Sequence, residues 1–207
     1  MIKVIYIDNP GDKKRIESAL QVWLGEVREL LPQVPEDVEV VFDNQYLIDL
    51  TGTGGFALDE NKIALAFSAT FEDKETQFKN LRGSFYHECF HLVQGWTGGE
   101  AGGEIPAIED ALMEGAATVF ERDRTQSSPP WADYSDIGNI DHVAEEVESL
   151  GVDYDWRKWK FYDSETNTRW ILYKIGTYLV DKALANKALS IEDIATMDAV
   201  EILKTTK

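Results

Sequence analysis

Branched apolar residues dominate the start of the chain, and Ile2 to Ile7 reads as a β-strand. Asn9-Pro10-Gly11-Asp12 marks a turn. Over residues 13–31 the apolar positions fall into a helical stripe of Ile16, Leu20, Trp23, Leu24, Val27, Leu30 and Leu31, which Pro32 and Pro35 end. Val38 to Phe42 predicts a second strand and Ile63 to Phe67 a third. Thr51-Gly-Thr-Gly-Gly55 lacks the lysine and following Ser/Thr of a phosphate loop and opens no helix, so it reads as a hairpin or a flexible loop. From Thr76 the periodicity becomes helical, with helices expected over 76–95, 106–124, 139–150, 168–186 and 190–205. Residues 127–130 and 151–163 are irregular, and there is no internal repeat or low-complexity tract. A β-rich first third followed by helices is an α+β arrangement. We expect a single domain over 1–207, with a β-rich lobe at 1–75 and a helical lobe at 76–207.

Length and composition agree with that picture. The chain has 207 residues, 43% of them hydrophobic, enough for a sizeable core. A formal charge of −18 repels phosphate backbones and anionic bilayers, so neither nucleic acid nor membrane is an expected partner. No apolar run approaches the length of a membrane span, and the short N-terminal strand is no secretion signal. A cytoplasmic protein is the expectation. Cys89 is the single cysteine, which excludes an intramolecular disulfide and reads as a small packing residue. The aromatic stretch Tyr154 to Tyr162, with Trp156 and Trp159, can cap the core or line a pocket.

The chemistry concentrates in His87-Glu88-Cys89-Phe90-His91, an H-E-x-x-H motif inside the expected helix 76–95. That segment carries no proline, and Phe78, Leu81, Phe85, Leu92 and Val93 give it the spacing of a half-buried helix. Residues four apart share a helix face, so His87 and His91 can grip one divalent cation while Glu88 stands beside them as a general base. A catalytic zinc site needs a third protein ligand. His142, in a charged helix start, reads as solvent-facing, which leaves a carboxylate as the better candidate. The helix around 108–121 offers Glu109, Asp110, Glu114 and Glu121. Glu109 and Glu121 suit a solvated face. Glu114 is followed by Gly115, Ala116 and Ala117, small residues that let a second helix approach closely. A glycine-rich turn (Gly95, Gly98, Gly99, Gly102, Gly103) gives this helix enough chain to fold back.

H-E-x-x-H followed by Glu114-Gly-x-Ala resembles the gluzincin group of zinc metallopeptidases. Tyr173-x-x-Gly176-x-x-x-Val180, together with the glycine-rich loop and strand ahead of the motif helix, resembles an uncharacterised family of predicted zinc-dependent proteases over roughly residues 50–205. The resemblance implies a zincin-like fold with the metal-binding helix at the junction of the lobes. It further implies zinc held by His87, His91 and Glu114, Glu88 as general base, and hydrolysis of peptide bonds by a metal-activated water. It makes Tyr173 a candidate oxyanion donor, beside the alternative of core packing. The gluzincin pattern often has an aspartate four residues after the third ligand. Here that position is Thr118, so the group orienting an imidazole comes from elsewhere, with Asp110 a candidate. The strand before the motif helix, Asn61 to Ser68, is a candidate edge for an extended substrate. A non-enzymatic zinc protein and a metal-dependent hydrolase of a non-peptide substrate are the rival readings.

Overall fold

The computed structural model describes residues 1–97, 105–186 and 189–206. Gly98, Gly99, Gly102 and Gly103 of the glycine-rich turn lie outside the described residues. By packing, the chain divides into two units: Met1–Gly98 with Glu121–Ser127, and Gly99–Phe120 with Ser128–Lys207. The fold class is α+β.

The first unit holds β1 (Ile2–Tyr6), α1 (Lys13–Leu30), β2 (Val38–Phe42), β3 (Thr53–Asp59), β4 (Lys62–Phe67) and α2 (Lys74–Gln94). Its four-stranded sheet runs in the order β1-β2-β4-β3. β1, β2 and β4 are parallel, and β3 pairs antiparallel with β4. α1 is the crossover that parallel β1 and β2 require. Asp12 caps it by accepting from the Arg15 amide at 3.2 Å, and its buried stripe is Ile16, Leu20, Trp23, Leu24 and Val27. Fully burying one such side chain contributes about 1.5–3 kcal/mol. Trp23 meets two rings of α2, Phe78 at 5.3 Å and Phe85 at 6.2 Å between centroids. α2 starts at Asp73, whose carboxylate accepts from the Thr76 amide at 3.0 Å. It ends at Gly95, where φ of +69° suits a residue without a Cβ.

The second unit takes most of α3 (Ala107–Thr125), whose last turn from Glu121 belongs to the first unit. It continues through α4 (Ile140–Ser149), α5 (Trp156–Lys160), the two-residue strands β5 (Tyr162–Asp163) and β6 (Thr168–Arg169), α6 (Ile171–Asn186), α7 (Ile191–Ile194) and α8 (Ala199–Thr205). α3 and α6 cross at Gly115 and Gly176. A methyl group on Gly115 would run into the Gly176 backbone, and one on Gly176 into the Ala111 carbonyl. The two glycines of the Glu-Gly-x-Ala and Tyr-x-x-Gly motifs are therefore one contact.

Four sequence expectations change. Residues 53–59 form a strand that was not expected, because Gly54 and Gly55 weaken its signature; the hairpin or loop expected at 51–55 is the start of this strand, which makes a hairpin with β4. Gly54 is required there, since a Cβ would overlap the Tyr46 carbonyl oxygen. β4, covering the Asn61–Ser68 segment, lies between β2 and β3, so it is not an edge; β3 is. The helix expected from 168 starts at Ile171, because Thr168 and Arg169 pair with Asp163 and Tyr162 and Trp170 has φ of +56°. The helix expected over 190–205 is two, since Asp198 opens a second one by accepting from the Glu201 amide at 2.7 Å. No helix among the described residues is long and apolar enough to cross a membrane.

Candidate metal centre

α2 is more deeply set than its half-buried pattern suggests. Every residue from Gly83 to Leu92 is buried, and His87, Glu88 and His91 are 6%, 5% and 4% exposed. Three ionisable side chains buried along one helix are expensive unless each is compensated. The compensation is visible for both imidazoles. His87 Nδ1 lies 3.2 Å from Glu121 Oε2, and His91 Nδ1 lies 2.8 Å from Gln94 Oε1. A carboxylate oxygen and an amide oxygen only accept, so each Nδ1 donates, and in a neutral imidazole that leaves the lone pair on Nε2. That is the tautomer a metal-binding histidine needs. The ring centroids stand 4.7 Å apart at 77°.

Glu121 is held in turn. Its Oε1 accepts from Ser127 Oγ at 3.2 Å, and Thr125 Oγ1 donates to its backbone carbonyl at 2.6 Å. A Cβ on Gly83 would come 2.5 Å from Glu121 Oε1, so that glycine makes room for the carboxylate. Glu121 is 3% exposed, which corrects its expected place on a solvated face. It faces the His87 ring instead. Asp110, the residue suggested for orienting an imidazole, instead accepts from Lys160 Nζ at 2.9 Å and from the Tyr154 hydroxyl at 2.6 Å.

Glu88 has an analogous glycine. A Cβ on Gly55 of β3 would come 2.6 Å from both Cγ and Oε1 of Glu88, so the edge strand can pass close to this carboxylate only with glycine there. Cys89, between the motif residues, is fully buried. Burial, reinforced by the charge of Glu88, pushes its thiol far above the ordinary range, so it is a packing residue and no nucleophile.

In the second unit, Glu114 is 6% exposed. Lys160, the last residue of α5, places Nζ 2.8 Å from Glu114 Oε1 and 2.9 Å from Asp110 Oδ1. Burial opposes the charge on Lys160, but Glu114 and Asp110 overcome it and hold the ammonium above its ordinary range. Nothing in the sequence singled out Lys160, which sits inside the aromatic stretch Tyr154 to Tyr162 that can cap the core or line a pocket. Tyr173 on α6 is half-buried, its ring 6.2 Å from Trp131 and 5.8 Å from Lys160 Nζ. His142 is solvent-facing as expected, with 71% of its side chain exposed.

His87, His91 and Glu114 each offer one buried ligand atom, a donor set able to hold a metal ion. Two imidazoles in the correct tautomer and a carboxylate suit zinc.

The comparisons with known proteins agree with this donor chemistry. The model of a family described as predicted Zn-dependent protease (DUF2268) matches residues 13–204, nearly the whole chain. The chain belongs to that family, and zinc is the cofactor the family's description names. No curated protein and no solved structure matches the chain.

Proposed function

We propose that the chain is a gluzincin-type zinc peptidase, a single catalytic domain with a zincin-like arrangement and the metal-binding helix at the junction of its β-rich and helical parts. The observation that carries this reading is the buried pair of α2 histidines, one turn apart, each with Nδ1 engaged by an acceptor oxygen. Membership of a family described as predicted Zn-dependent protease supports it. His87, His91 and Glu114 are the proposed ligands. Support for Glu114 comes from α3 itself, which is one continuous helix. Glu114 and Glu121 are seven residues apart, two turns on the same face, and Glu121 is the residue that meets His87.

Zinc, when bound, supplies Lewis acidity and lowers the pKa of water to about 7. Glu88 accepts a proton from the attacking water and delivers it to the leaving amine. Its burial and the bare backbone at Gly55 limit the solvent that competes for it. Glu121 and Gln94 hold the imidazoles so that no reorientation is needed during turnover. Tyr173 is the proposed donor to the oxyanion. β3, the sheet edge that carries Gly55, is the strand along which an extended peptide would align by strand addition. A peptide-library screen tests the reading: the wild type should cleave, lose activity to a zinc chelator and regain it on zinc addition. Hydrolysis that survives complete removal of zinc would refute it.

A further inference from the structure

We infer that Lys160 is a positioning residue for the metal site, fixing Glu114 so that it binds through a single oxygen; the inference rests on the ligand assignment proposed above. Of the cations in α5, Arg157 lies over the Trp156 ring, and Lys158 pairs with Glu165 at 2.7 Å and with Asp163 at 3.8 Å. Lys160 is the least exposed of the three, with 13% of its side chain exposed against 34% for Lys158. A buried ammonium needs a partner, and Asp110 at 2.9 Å would suffice. The ammonium nevertheless bridges two carboxylates, and the second is the proposed ligand, Glu114, at 2.8 Å. Asp110 is itself anchored by the Tyr154 hydroxyl at 2.6 Å, so the bridge hangs from a fixed point. An ammonium on Oε1 disfavours ligation through both oxygens at once. One-oxygen ligation keeps a coordination position for water and substrate, as catalytic zinc sites require. Two-oxygen ligation would fill it.

The test compares wild type with Lys160→Met, Lys160→Arg and Glu114→Ala. Two readouts are used: zinc affinity by chelator competition, and the visible absorption of the cobalt-substituted protein, which weakens as coordination number rises. We expect Lys160→Met to bind zinc about 10–100-fold more weakly and to show weaker cobalt bands. Lys160→Arg, which keeps a charged donor, should restore most of both. Removing the lysine leaves two carboxylates facing each other, so the double variant Asp110→Asn/Lys160→Met serves if the single one does not fold. Folded variants with wild-type zinc affinity and cobalt spectrum would overturn the role of Lys160, provided Glu114→Ala loses zinc. Retention of full zinc affinity by Glu114→Ala would instead remove the ligand assignment, and the inference with it.

Discussion

Replacing Glu121 with alanine should damage the metal centre without touching a ligand. The side chain is 3% exposed and accepts from His87 Nδ1 and Ser127 Oγ, both at 3.2 Å. Alanine strands both donors in the interior, at about 1–3 kcal/mol each for a buried group left unmade. It also frees the His87 ring to rotate and to change tautomer. Loss of such an orienting carboxylate weakens metal binding about 10–100-fold, equivalent to about 1.4–2.8 kcal/mol at 1.4 kcal/mol per decade. Glu121→Gln keeps an acceptor oxygen of the same shape, so it should retain more of both stability and affinity. Chemical denaturation of the metal-free protein reads the first effect, and zinc competition against a chromophoric chelator reads the second. Unchanged zinc affinity in a folded Glu121→Ala protein would refute the orienting role and weaken the case that His87 binds metal.

The glycines give further tests. Gly115→Ala and Gly176→Ala each drive a methyl group into the backbone of a crossing helix, so each should destabilise at or above the upper end of the usual overpacking range, about 3 kcal/mol; thermal or urea unfolding measures this, and a neutral effect would contradict the close α3–α6 crossing. Gly55→Ala places a Cβ 2.6 Å from Glu88 Oε1, so it should slow hydrolysis while zinc stays bound, as elemental analysis beside a rate measurement would show.

How far the site could be read from the sequence follows from how local each feature is. The pairing of His87 with His91 is a property of one helical turn, and it survives intact in α2. The strands at 2–6 and 38–42 and the helix at 13–30 are equally legible, since branched residues, a regular stripe and two prolines mark them. Glu121 escaped because an acidic residue near a helix end resembles a solvated one; its burial depends on Gly83 and Ser127, one of them 38 positions away. Lys160 escaped for a similar reason, since its neighbour Arg157 does face solvent and distant Asp110 and Glu114 draw Lys160 inward. β3 was masked by its own glycines, which are there because Tyr46 and Glu88 leave no space for a side chain. Gly115 and Gly176 were each visible in a motif, but their being a single contact across 61 residues is a fact of packing.

Zinc content and peptide hydrolysis, measured side by side in the wild type and in Glu88→Gln, separate metal binding from catalysis. About one zinc per chain is expected in both proteins and hydrolysis only in the wild type, with a rate loss of about 10²–10⁴ or more from removing the base. Glutamine fills the same buried space beside Gly55, so the fold should hold. A Glu88→Gln protein that cleaves at the wild-type rate, or a wild type that takes up no zinc on titration, would contradict the account.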